Sequence, residues 1–310
     1  MKIVFLDGKS VGDDIDLSGF RDLGEFVIYS ESTPEEAAER SVDADILLVN
    51  KVPVCRETIG AADKLKLVCV TATGINNLDT EYLKSRGIPW RNAAGYSTES
   101  VAQHTFAMLF YLLEKLRYYD EYVKSGAYAN SSCFTHIDAP FSELNGKTFG
   151  IIGLGTIGRR VASIARAFGM NVIYASASGR PAQEGYEQVS LEELYARADV
   201  VSVHAPLNEH TEHLINKEAF KAMKNTAIFL NLGRGPIVVD RDLREALDSG
   251  EIAAAGLDVL TREPMSKDHP LLGFKDSSRL IITPHIAWAS KEARVRLMEI
   301  VRKQVEEFLS

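Results

Sequence analysis

The run Phe149-Gly150-Ile151-Ile152-Gly153-Leu154-Gly155-Thr156-Ile157-Gly158 constrains this chain more than any other segment. It reads as a buried strand, then G-x-G-x-x-G, then a helix whose apolar face is Ile157, Val161, Ile164, Ala165 and Phe168. The helix should stop at Gly169, and residues 172–175 make the next strand. In such a unit Gly153 permits the tight turn, Gly155 lets a pyrophosphate approach the backbone, and Gly158 lets helix and strand pack closely. The unpaired N–H groups of the first helical turn then hold the anion. The expectation is a dinucleotide site.

The rest of the chain repeats the alternation. Strands are expected at residues 2–6, 26–29, 45–49, 67–70, 147–153, 227–232, 253–259 and 280–283. Between them lie helical stretches. One opens at Thr33 with Pro34 and Glu36 as start signals, and one spans residues 77–86 and closes at Gly87. A long helix runs from Ser97 or Thr98 to about Val123, and a final one covers residues 291–309. Strands alternating with helices predict an α/β chain with parallel sheets covered on both faces. At 310 residues it should form about two domains.

Composition narrows the class of function. Hydrophobic residues are 45% and charged residues 25%, an ordinary globular mix. The net charge of −8 argues against nucleic acid or an anionic membrane as partner, so an anionic substrate needs a local cation. No apolar run reaches the ~18–20 residues that cross a bilayer. The N-terminus meets an acid at Asp7, too soon for a signal peptide. Cys55, Cys69 and Cys133 have no paired spacing, which fits a reducing cytoplasm, small buried apolar roles and no metal site.

The second strand of a dinucleotide unit should end in an acid that holds the adenosine ribose 2′-OH. Position 176 is serine, in the run Ala175-Ser176-Ala177-Ser178-Gly179-Arg180. Without a carboxylate, Ser176, Ser178 and Arg180 are suited to a 2′-phosphate, so NADP is expected to be accepted and NAD remains open. The alternative is that Ser176 only weakens selectivity and Arg180 is a solvated loop residue.

Three later strands each end in a reactive residue: Arg234 after residues 227–232, Glu263 after residues 253–259, and His285 after residues 280–283. Ligands of open α/β sheets bind outside the carboxyl ends of the strands, so the three can converge. A dinucleotide that delivers a hydride to a carbonyl carbon leaves a proton to be placed on the oxygen. Histidine, with its ordinary pKa near ~6.5, suits proton donation at neutral pH. A carboxylate on its other ring nitrogen fixes the ring and favours the imidazolium. An arginine offers planar donors to a carboxylate and carbonyl.

With these motifs the sequence resembles the D-isomer-specific 2-hydroxyacid dehydrogenases. The match rests on Gly153–Gly158, Asn231-Leu232-Gly233-Arg234-Gly235, Gly256-Leu257-Asp258-Val259, Glu263-Pro264 and Thr283-Pro284-His285-Ile286-Ala287. It also rests on Ala94-Gly95-Tyr96-Ser97-Thr98-Glu99-Ser100-Val101-Ala102-Gln103-His104. Asn50-Lys51-Val52-Pro53, Gly95–His104 and His285-Ile286-Ala287-Trp288 look most like the glycerate dehydrogenase (hydroxypyruvate reductase) branch.

The resemblance implies two doubly wound parallel-sheet domains. One is a flavodoxin-like substrate domain from residues 1–98 and 286–310; the other is a Rossmann NAD(P)-binding domain at residues 99–285. Such proteins are usually dimers. It implies catalytic roles for Arg234, Glu263 and His285, and a substrate pocket with Asn50, Thr73, Gly74, Arg234 and Trp288. Trp288 has packing as an equal alternative. Around the cofactor it implies Gly153, Gly155, Thr156, Ile157, Gly158, Ser176, Ala205, Pro206, Thr211, Leu232, Gly233, Asp258, His285 and Ala287. His104, His136, His204, His210, His213 and His269 are set aside as non-catalytic.

The leading expectation is an NAD(P)-dependent enzyme that interconverts a small 2-keto acid, hydroxypyruvate or glyoxylate, and its D-2-hydroxy acid. A bulkier or apolar 2-keto acid is the alternative substrate. Phosphoglycerate is disfavoured by the chain's end at Ser310 and the lack of a basic cluster. A dinucleotide-sensing corepressor is the reading from another class.

Overall fold

The computed structural model describes residues 1–176 and 185–310. The chain divides into two compact units, Met1–Ser97 with Trp288–Ser310, and Thr98–Ala287. In the first unit, strands β1 (Lys2–Phe5), β2 (Glu25–Ile28), β3 (Ile46–Val49), β4 (Leu67–Val70) and β5 (Trp90–Asn92) form one parallel sheet in the order β2-β1-β3-β4-β5. Ile3, Phe5, Ile46, Leu48, Leu67 and Cys69 fill one face, where the final helix Lys291–Leu309 adds Leu297, Val301 and Val305. Val4, Leu6, Leu47, Val49, Val68 and Val70 fill the other. Burial on both faces explains why these strands read as continuous apolar runs.

Local chemistry sets the helix starts. Helix α1 (Pro34–Ser41) opens with a capping box, in which Thr33 Oγ1 accepts from the Glu36 amide and Glu36 accepts from the Thr33 amide. A short helix, α2 (Arg56–Ile59), follows. The helix expected at residues 77–86 is shorter, α3 (Thr80–Ser85), capped by Asp79. Asn77 and Asp79 are spent on backbone bonds to Val54, so the helix cannot begin before them. Of the three cysteines only Cys69 is buried, and burial pushes its thiol up to about 12. Cys133 is exposed, because it lies in a loop outside both cores.

Among its described residues the second unit carries seven parallel strands: β6 (Thr148–Ile152), β7 (Asn171–Ala175), β8 (Glu187–Gln188), β9 (Val200–Val203), β10 (Ile228–Asn231), β11 (Ala254–Leu257) and β12 (Leu280–Ile282). Their order is β12-β11-β10-β9-β6-β7-β8. The order reverses between β6 and β9, and ligands of doubly wound sheets bind at such a switch point. Helices α4 (Thr98–Leu113), α5 (Leu116–Lys124), α6 (Thr156–Ala167), α7 (Leu191–Arg197), α8 (Lys217–Ala222) and α9 (Asp240–Ser249) belong to the same unit.

The single long helix expected to reach Val123 is two helices. Lys115 takes a left-handed φ of 52° between α4 and α5 and ends the first. The break turns the aromatic face of α5 onto the segment that follows. Tyr122 stacks on His136 with ring centroids 3.7 Å apart, Tyr118 Oη lies 2.7 Å from His136 Nε2, and Tyr119 Oη donates to the Ala139 carbonyl. No helix among the described residues is long and apolar enough to cross a membrane.

Candidate active site

The glycine turn between β6 and α6 has the shape a pyrophosphate needs. Gly153 adopts φ +95°, and a Cβ there would stand 2.8 Å from the backbone of Ala205. A Cβ on Gly158 would meet the Gly153 carbonyl oxygen at 2.3 Å. Gly155, the N-cap of α6, differs from both: nothing lies within 4 Å of a Cβ built on it. The first two glycines are thus required by packing, and the third leaves open space beside a helix N-terminus. Thr156 and Ile157 open that helix. A dinucleotide's phosphates fit this cradle.

Gly155→Val is therefore expected to keep the melting temperature near that of the parent while weakening NADPH binding by at least tenfold. A fluorescence titration beside a thermal melt checks both. Unchanged affinity would mean that the open face is not the phosphate site.

The neighbouring turn follows β9. Ala205 is buried, and Thr211 Oγ1 ties the loop by donating to the Pro206 carbonyl at 2.7 Å and accepting the Asn208 amide at 2.9 Å. Burial pushes His204 down to about 4, so it is neutral at pH 7 and unsuited to donate a proton. Ser176 directly follows β7; Ser178 and Arg180 lie outside the described residues.

Beyond β10, Asn231 braces the Leu232–Arg234 turn. Its side chain accepts from the Gly233 amide at 3.1 Å and donates to the Arg234 carbonyl at 3.0 Å. The Arg234 guanidinium touches the Gly233 carbonyl at 2.8 Å. Gly235 lies so close to the Leu260 carbonyl that a Cβ would overlap it, which packs the Arg234 turn against the one after β11.

There the Leu260 amide donates to Glu263 Oε1 at 2.9 Å, and Glu263 Oε2 stands 2.7 Å from His285 Nδ1. The ionised carboxylate is acceptor only, so Nδ1 carries the proton. Nε2, on a side chain 25% exposed, has no hydrogen-bond partner among the described residues. This is how an imidazole is oriented to hand a proton outward.

Asp258 is spent differently. Its carboxylate is almost wholly buried and accepts from the Thr283 hydroxyl at 2.6 Å, the Ile286 amide at 2.9 Å and the Ala287 amide at 2.8 Å. Its own carbonyl accepts the His285 amide. Asp258 thus shapes the turn that carries His285.

In the other unit Asp7, buried at the end of β1, accepts the amides of Asn50, Lys51 and Val52 at 2.6–3.1 Å and fixes the turn after β3. Thr73 Oγ1 donates to the Ala93 carbonyl, and Gly74 follows it. Trp288 packs edge-on to Tyr96 in that unit's core. Asp7, Ser100 and Thr283 are not singled out by the sequence, and His104 is set aside there; the signal for Asp7 and Thr283 is a polar residue at the carboxyl end of an apolar strand.

The comparisons with known proteins decide the family. A profile described as D-isomer specific 2-hydroxyacid dehydrogenase, NAD binding domain, matches residues 106–287. The chain belongs to this family. It is 42% identical to the hydroxypyruvate reductase of Blautia hydrogenotrophica, across 100% of this chain and 97% of that protein. It is 37% identical to the glycerate dehydrogenase of Methylorubrum extorquens, across 100% and 96%. Among solved structures, the acyclic imino acid reductase Bsp5, in complex with NADPH and D-Arg, superposes with a TM-score of 0.87 at 33% identity, covering 100% of this chain and 97% of that one. As a D-2-hydroxyacid dehydrogenase the protein is an NAD(P)-dependent oxidoreductase.

Proposed function

We propose that this dehydrogenase reduces a small 2-keto acid, hydroxypyruvate or glyoxylate, to the D-2-hydroxy acid, with His285 as proton donor. The reading is carried by the Glu263 carboxylate holding His285 Nδ1 at 2.7 Å while Nε2 has no hydrogen-bond partner among the described residues. It is supported by similarity to a hydroxypyruvate reductase and a glycerate dehydrogenase over essentially full length.

When bound, reduced nicotinamide supplies a hydride to the carbonyl carbon and is itself oxidised. His285 Nε2 gives its proton to the carbonyl oxygen, which becomes the hydroxyl. Arg234 holds the substrate carboxylate and polarises the carbonyl. Asn50, Thr73, Gly74 and Trp288 are also assigned to substrate binding. In the cofactor's path we place Thr156, Ile157, Ala205, Pro206, Thr211, Leu232, Gly233, Asp258 and Ala287.

NADP is the preferred cofactor in this reading, because position 176 is serine where an acid would repel a 2′-phosphate. Measuring kcat/KM for hydroxypyruvate, glyoxylate, pyruvate and an aromatic keto acid with both cofactors tests the whole reading. Turnover of the two small polar acids, faster with NADPH, is expected. A clear NADH preference removes the cofactor assignment, and no turnover of any keto acid favours a dinucleotide sensor.

We also assign a homodimer and a cytoplasmic location. Phe134, Ile137 and Phe141 are 89%, 73% and 55% exposed on the arm that α5 anchors, an apolar surface suited to a second copy of the chain. Sedimentation should give the mass of two chains; the mass of one removes the dimer.

A further inference from the structure

Helix α4 grips both ends of the turn that presents His285. Ser100 and His104 are four residues apart and share one face of α4. Ser100 Oγ donates to the Ala287 carbonyl at 2.6 Å. His104 Nε2 lies 3.1 Å from Thr283 Oγ1. Thr283 has a single hydroxyl proton, and the 2.6 Å contact with the Asp258 carboxylate takes it. The Thr283 oxygen can then only accept from His104, so Nε2 of His104 carries a proton.

The chain of contacts continues from Thr283 to Asp258 and on to the amides of Ile286 and Ala287. Between these anchors His285 is held at φ 56°. A left-handed backbone is unfavourable for a residue with a Cβ and persists only where its surroundings hold it.

We propose that His104 is a positioning residue for proton transfer: through Thr283 and Asp258 it holds the backbone turn on which His285 sits. His104 itself hands no proton to the substrate. Its effect is on the placement of an acid that must meet the carbonyl oxygen, and an error of about 1 Å in such placement costs up to ~100-fold in rate. The proposal rests on His285 as the proton donor.

The test compares His104→Ala with His104→Gln, and Thr283→Val with Thr283→Ser, using glyoxylate and NADPH. His104→Ala and Thr283→Val should each lower kcat about tenfold. The keto-acid KM and the NADPH Kd, read by fluorescence, should stay within about twofold. The solvent deuterium isotope effect on kcat should rise, because proton transfer becomes slower relative to other steps.

His104→Gln, whose amide still donates, and Thr283→Ser should recover most of the lost kcat. Parent-like kcat and isotope effect in His104→Ala would overturn the proposal. Equal impairment in the alanine and glutamine variants, with only a lower melting temperature, would also overturn it. Should His104→Ala not fold, the Thr283 pair gives the same readouts. If His285→Ala itself retains activity, the donor assignment fails; if it is inactive while His104→Ala matches the parent, only the positioning role fails.

Discussion

Replacing His285 with alanine should lower kcat for keto-acid reduction by about 10³-fold, within the range general acid catalysis contributes. The loss follows from the imidazole's placement. Glu263 occupies Nδ1 at 2.7 Å, which leaves Nε2 for the proposed proton donation to the carbonyl oxygen. Two other histidines are already engaged elsewhere: His204 is held neutral by burial, and His269 binds Asp240 at 3.0 Å. Since the glycine turn is remote in sequence and built from backbone, the variant's NADPH affinity should stay near that of the parent. Stopped-flow turnover beside a fluorescence titration measures the two quantities. A variant with more than about a tenth of parental kcat would remove His285 from its role.

Arg234→Lys carries the second large effect, a fall of about 10²–10³ in kcat/KM for the keto acid. A charged pair that loses one well-placed partner costs about 2–5 kcal/mol, and each 1.4 kcal/mol is tenfold. Lysine keeps the charge but not the planar fork that meets carboxylate and carbonyl together. Asn231 and the close approach of Gly235 to Leu260 fix the turn's backbone, so the fold should be unaffected. Steady-state kinetics with a thermal melt decides it. A loss confined to melting temperature, with kinetics preserved, would make Arg234 a structural residue.

Much of the site was legible because its residues are punctuation. Glycines at 153, 155 and 158 and reactive residues directly after apolar strands are local signals, and the motif order locates them without coordinates. The long helix was misjudged because its apolar pattern runs through Lys115, whereas the break at Lys115 is accompanied by contacts of α5 with His136 and Ala139. The early start expected for α3 failed for a similar reason, since residues 77–79 bond to Val54, far from them in sequence.

The sequence by itself determined the alternation of strand and helix and the glycine turn, and it singled out Arg234, Glu263 and His285, since each depends on residue type within a few positions. Only the tertiary structure decided that Asp258 clasps the His285 turn, that His104 and Ser100 hold it from α4, and that Asp7 sets the turn at Asn50. Those bonds join residues from 25 to 187 positions apart, and hydrogen bonds at such separations exist only once strands and helices have packed.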